Sequence, residues 1–115
     1  MTNIASTLKS KNCKLFYMSV NPINSTMITK AGRGARTEAQ VREFNSKIPS
    51  GLSLDYKYID MYSVLMKKGY GTNASYNGTD ADSDDGLHYT TKTFKRIYYY
   101  CITYLNTGSI NASYY

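Results

Sequence analysis

Apolar residues along this chain recur with two different periods. "KLFYMSV" (14–20) is a short continuous apolar run, rich in β-formers, that gives way to "NPIN". Such a run reads as a strand buried on both faces, as in a parallel sheet. "TEAQVREFNSKIP" switches to a helical period. Thr37 and Gln40 stand at capping-box spacing, Val41, Phe44 and Ile48 share a face, and Pro49 should stop the helix near residue 48. "YKYIDMYSVL" (56–65) reads as a second strand near 56–61 that runs into a short helical turn, with Gly69 ending it. Lys67 to Asp84 is polar and rich in Gly, Asn, Ser and Asp, a long loop. "TKTFKRIYYYCITYLN" then sets Phe94, Ile97, Tyr98, Cys101, Ile102 and Leu105 at helical spacing over 91–106, with Gly108 where a C-terminal cap belongs. On that reading Tyr99, Tyr100 and Tyr104 fall off the core face. "IASTLKSKN" reads as a short helix before the first strand.

The predicted order is helix, strand, helix, strand, loop, helix. Strands that alternate with helices imply a parallel sheet covered on its faces, the α/β class. Two parallel strands make a poor sheet, because each wants a neighbour on both sides. The pattern describes half of an α/β domain.

Composition narrows the function. The 115 residues (1–115) support one domain, here a partial one. Hydrophobic residues are 42% and charged residues 19%, a globular balance, and no apolar run approaches the roughly 18 residues of a membrane span. No basic-then-apolar leader opens the sequence as given, so neither a signal peptide nor a membrane partner is expected. The net charge of +6 is scattered, with small patches at Lys9-Lys11-Lys14, Arg33-Arg36 and Lys67-Lys68. This reads as a solvated basic surface, not a nucleic-acid face. Cys13 and Cys101 form no CxxC and no zinc spacing. Cys101 reads as a small buried hydrophobe, and a disulfide between the two stays open.

The candidate chemistry lies in "DGLHYT" (85–90), which holds the only histidine. Asp85 stands three residues before His88. An aspartate so placed can hold imidazole Nδ1 and leave Nε2 as a base. Other constellations are weaker. "DADSDDG" (80–86) has carboxylates at alternate positions, but its Gly86 and Thr91 fall where a calcium loop needs other residues, so no metal and no cofactor is expected. "GRGAR" (32–36) reads as a basic loop. Sequons begin at Asn24, Asn73, Asn77 and Asn111. Asn21 and Asn24 sit where a parallel strand exits, the edge at which ligands bind.

The series "LFYMSVNPIN", "VREFNSKI", "YKYIDMYSVL" and "DGLHYT" with its following helix resembles the C-terminal half of the SGNH (GDSL-type) hydrolases. The resemblance covers nearly the whole chain. It implies a partial three-layer α/β/α, flavodoxin-like fold, with Asp85 and His88 as the Asp-x-x-His part of a Ser-His-Asp triad. It implies an esterase or deacetylase acting on an acylated small molecule or carbohydrate. The family's serine block (Gly-Asp-Ser), its oxyanion Gly and its Gly-x-Asn-Asp block cannot be read in these residues. Hydrolysis is therefore expected only where the serine-bearing half is supplied. The alternative is a non-catalytic remnant, a self-associating structural or binding module. Either way a strand without its neighbour leads us to expect a homo-oligomer or pairing with the missing N-terminal half.

Overall fold

The computed structural model describes residues 2–32, 34–50, 56–70 and 86–111. The described elements are α1 (Thr2–Ser10), β1 (Leu15–Met18), α2 (Ser25–Lys30), α3 (Glu38–Ser50), β2 (Tyr56–Ile59), α4 (Met61–Lys67) and α5 (Thr91–Thr107). β1 and β2 pair in parallel, with Leu15 opposite Tyr56 and Met18 opposite Ile59. The chain is thus mixed helix with a short two-stranded parallel sheet, as the pattern of apolar runs implies. Both strands are shorter than those runs. β2 stops because Asp60 turns the chain, its carboxylate accepting Ser63 N–H at 3.1 Å to cap α4. α2 was not expected. Asn24 caps it, Oδ1 accepting Met27 N–H at 3.1 Å.

Helix ends follow local chemistry closely. Thr37 and Gln40 form the reciprocal box: Gln40 N–H reaches Thr37 Oγ1 at 3.2 Å and Thr37 N–H reaches Gln40 Oε1 at 2.9 Å. α4 closes in a Schellman motif. Gly69 takes φ 87°, its N–H returns to Met66 C=O, and Tyr70 N–H returns to Leu65 C=O. The motif's apolar contact is Leu65 with Tyr70, both fully buried. The stretch read as wholly polar from Lys67 onward therefore begins with a core tyrosine; residues 71–84 lie outside the described residues. Pro49 does not stop α3 at 48, because the helix runs to Ser50. A proline forfeits the hydrogen bond to the residue four before it, which the last turn of a helix tolerates.

The core is formed by Ile59, Met61, Leu65, Tyr70, Ile97 and Tyr100, with Phe16, Tyr89, Cys101 and Tyr104 packed around it. α5 lies on the sheet face that carries Phe16 and Ile59. Phe16 and Tyr104 meet edge-to-face at 6.2 Å, and Tyr104 Oη donates to Tyr58 C=O at 3.2 Å. Thr93, Ile97, Tyr100 and Tyr104 form the inward stripe. This corrects the sequence reading: Tyr100 is buried and Tyr104 half-buried, while Phe94, Tyr98 and Leu105 are 55%, 62% and 49% exposed. α5 is apolar over a wider arc than the core covers, so periodicity alone misplaces its inner stripe. Both cysteines are free, Cys13 exposed and Cys101 half-buried, which closes the disulfide alternative. Burial pushes the Cys101 thiol up.

β1 is not buried on both faces. Leu15, Phe16 and Tyr17 are half-buried, and Met18 and Val20 are 37% and 40% exposed. The reason is the missing neighbour: among the described residues the sheet has two strands, so each has an open edge. Ser19 N–H donates to Ile59 C=O at 3.0 Å, so Ser19 faces β2. Backbone groups of a paired strand alternate in direction, so those of Phe16, Met18 and Val20 face outward. At Val20 the outer edge is filled by a side chain. Asn45 of α3 accepts Val20 N–H and donates Nδ2–H to Val20 C=O, both at 2.8 Å. Asn45 is 8% exposed, whereas Phe44, expected on the inner face, is 51% exposed. A polar residue occupies the inward position because it supplies the hydrogen bonds of an absent strand.

Asn45→Ala should cost about 1–3 kcal/mol, the penalty for leaving half-buried backbone groups unpaired. Urea denaturation measures it, with Glu43→Ala on the exposed face of α3 shifting the midpoint far less.

Candidate functional site

The exit of β1, residues 19–24, is held on every side by groups from later in the chain. Ser19 is 2% exposed, and its Oγ accepts Tyr62 N–H at 2.7 Å. Asn45 fixes Val20. Glu38, in the first turn of α3, accepts Ile23 N–H at 3.4 Å on Oε2 and the Tyr62 hydroxyl on Oε1, while its own N–H donates to Ser25 Oγ at 3.0 Å. Burial, then the Glu38 carboxylate on its hydroxyl, raises Tyr62 well above the usual phenol range. One carboxylate thus ties α3, α4 and the β1 exit together.

Against this exit docks the loop that carries His88. Asn24 N–H donates to Gly86 C=O at 2.9 Å, and Tyr89 Oη donates to Pro22 C=O. The Tyr89 ring is wedged between Tyr70 and Phe94, edge-to-face at 5.9 and 6.2 Å. Tyr70 is itself pinned: its hydroxyl accepts Arg96 Nη1–H at 2.7 Å and the Thr93 hydroxyl at 3.4 Å. Gly86 is buried at φ 71°. A Cβ there would lie 2.6 Å from Asn24 C=O and 2.7 Å from Met27 Cβ. Only glycine permits this approach of the loop backbone to the strand exit.

His88 is exposed on this loop, two residues after the Gly86 carbonyl that binds Asn24. Asp85 lies outside the described residues, as do residues 80–84 of the acidic stretch and the sequons at Asn73 and Asn77. Asn24 is 8% exposed and occupied with capping α2 and binding Gly86, so it does not line an open edge. Asn21 does offer an unspent group: Oδ1 is buried with no donor among the described residues. Among the described residues no three His, Cys, Asp or Glu side chains gather to hold a metal ion, and no helix is long and apolar enough to cross a membrane.

Two concave surfaces flank α3. A groove of about 390 Å³ lies between Val20 and the first two turns, lined by Arg36, Val41 and Phe44. A more polar cleft of about 280 Å³ lies toward β2, between Arg42, Ser46, Tyr58 and Ser63. Sequence reasoning missed Ser19, Glu38, Asn45 and Tyr62. The lack of a second neighbour for β1 was the only available signal for Asn45, since a strand end with no partner needs a side-chain one. Comparison with family models, with curated proteins and with solved structures finds no match.

Gly86→Ala should destabilise the fold by at least about 1–3 kcal/mol, since positive φ and a backbone clash act together. Gly108→Ala, at φ 76° with open space around it, should cost only the backbone part, so its urea midpoint should fall less. Tyr62 gives a pH signature. A tyrosine in the unfolded chain ionises near pH ~10, whereas folded Tyr62 stays protonated above that, so the folded state then binds more protons. Its contribution is whole below about pH 10 and is lost as pH rises through its raised value. Tyr62→Phe should flatten the alkaline fall in stability, read from denaturation midpoints at pH 8 through 11.

Proposed function

We propose that the chain is the histidine-bearing half of an SGNH-type ester hydrolase, a partial three-layer α/β/α, flavodoxin-like domain. The observation that carries this reading is the docking of the loop that carries His88 on the exit of β1. Open α/β sheets bind ligands outside the carboxyl ends of their strands, and the Gly86–Asn24 and Tyr89–Pro22 hydrogen bonds hold the loop at that end. In this role His88 Nε2 takes the proton from a serine hydroxyl as it attacks the ester carbonyl. The same proton then passes to the departing alcohol. Asp85 holds Nδ1–H and so fixes which nitrogen is free. The serine and the oxyanion donors come from sequence beyond these residues, and the substrate class is an acylated small molecule or carbohydrate. Without the serine, a triad loses on the order of 10⁶ in turnover. The chain alone is then a binding and positioning half. The alternative, a non-catalytic self-associating module, is favoured by one observation, the outer edge of β1 that no strand meets among the described residues.

The test is the tautomer of His88, read by long-range ¹H–¹⁵N correlation at alkaline pH. The reading expects the proton on Nδ1, moving to Nε2 in Asp85→Ala. A proton on Nε2 in the unaltered chain would overturn the assignment of the pair. The chain alone should hydrolyse aryl acetates no faster than its His88→Ala variant and take no label from a fluorophosphonate. A His88-dependent rate with a labelled serine would show that the nucleophile is one of this chain's own.

A further inference from the structure

The outer edge of β1 is plugged at one end and, among the described residues, open along the rest. Asn45 takes the N–H and C=O of Val20. Below it, Phe16 and Met18 point the same pair of groups away from β2, and among the described residues no strand meets them. Apolar side chains stand on both sides of this edge. On the α5 side the Cys101 sulfur touches that of Met18 at 3.7 Å, and Phe94, Tyr98 and Leu105 continue the exposed ridge one or two turns away in each direction. On the α3 side Val20, Val41 and Phe44 line the open groove. An aromatic side chain covers roughly 150–250 Å². Half-exposed Phe44, Phe94 and Tyr98 with Met18, Val20 and Leu105 thus leave on the order of several hundred Å² of apolar surface. That is comparable with the apolar part of a stable interface of about 800 Å² per partner.

We infer that a second copy of the chain pairs with this edge, β1 against β1 antiparallel about a two-fold axis at Tyr17. The plug fixes the register. With Val20 filled, the free outward residues are Phe16 and Met18, and an antiparallel hydrogen-bonded pair joins two outward residues. Setting Phe16 against the partner's Met18, and Met18 against the partner's Phe16, satisfies all eight groups' directions with four hydrogen bonds. Tyr17 then meets its own copy as a non-hydrogen-bonded pair, with Cα atoms about 4.5 Å apart. The two short sheets become one four-stranded sheet, order β2-β1-β1-β2, and the ridges from α5 and α3 meet their counterparts. Each copy carries +6, so added salt should strengthen the dimer by screening their mutual repulsion. The pairing needs no serine and stands whether or not the hydrolase reading holds. A serine-bearing polypeptide would compete for the same edge.

Sedimentation equilibrium on the full chain at tens of micromolar should give about twice the 13.0 kDa chain mass, with dissociation shifting to lower concentration as salt is raised. Met18→Pro removes an outward donor without touching the β2 ladder, and should return the mass to that of one chain with unchanged far-ultraviolet circular dichroism. Because that variant can fail to fold, the second arm is covalent. Tyr17→Cys in a Cys13→Ser background should form a disulfide-linked dimer on mild oxidation, since its Cα spacing falls inside the ~4.4–6.8 Å range of disulfides. Lys57→Cys on β2 in the same background should not. A monomer at these concentrations overturns the inference, as does a dimer whose Tyr17→Cys variant fails to cross-link. Conversion of the dimer to a one-to-one complex by a serine-bearing polypeptide would confirm the edge as the shared surface.

Discussion

The arrangement around β1 depends on one side-chain amide. A strand of four residues with one neighbour cannot define where its chain goes next. Asn45 settles it by presenting both an acceptor and a donor to Val20, 2.8 Å each way, as a neighbouring strand would. The contact joins residues 25 apart in sequence and locks α3 beside the strand exit. Glu38, seven residues earlier on the same helix, adds the Ile23 N–H and the Tyr62 hydroxyl. Two polar residues on one helix therefore fix the start of α4, the end of β1 and the turn into α2. Their partners are mostly backbone groups, which must be satisfied once water is excluded.

The His88 loop inherits its position from that exit. Had residues 20–24 been free to move, neither the Asn24–Gly86 bond nor the Tyr89–Pro22 bond would hold the loop in one place. Gly86 makes the approach sterically possible, and the Tyr70–Tyr89–Phe94 stack makes it stable from behind. Tyr70 reaches this stack through the Schellman turn at Gly69, so a helix cap and a candidate catalytic loop share one support. Tyrosine suits these posts because its ring fills the core and its hydroxyl still finds a partner, Arg96 for Tyr70 and Pro22 for Tyr89. Thirteen tyrosines and no tryptophan fit a small interior that needs length with a polar tip.

What was legible in the sequence is local. The Thr37–Gln40 box, Gly69 and Gly108 at their helix ends, and the two short strands all follow from chemistry within a few residues. What was not legible is tertiary. Val41, Phe44 and Ile48 announce a face for α3, yet the helix turns Asn45 inward, because the demand comes from Val20 on another element. α5 is apolar over so wide an arc that only the sheet decides that Thr93, Ile97, Tyr100 and Tyr104 face in. The continuous run "KLFYMSV" implied burial on both faces, and it is half-exposed because burial needs a neighbour that these residues do not supply. Of the candidate site, spacing singles out Asp85 and His88. Asp85 lies outside the described residues, and the hydrogen bonds that dock the loop could not be read from the chain's order.

Amide hydrogen exchange along β1, followed by NMR, tests the side-chain plug most directly. In dilute, dissociated chain the amides of Tyr17 and Ser19 should be protected by β2 and that of Val20 by Asn45, while those of Phe16 and Met18 exchange quickly. Protection at Val20 alone should disappear in Asn45→Ala. Val20 exchanging as fast as Met18 in the unaltered chain would contradict the account.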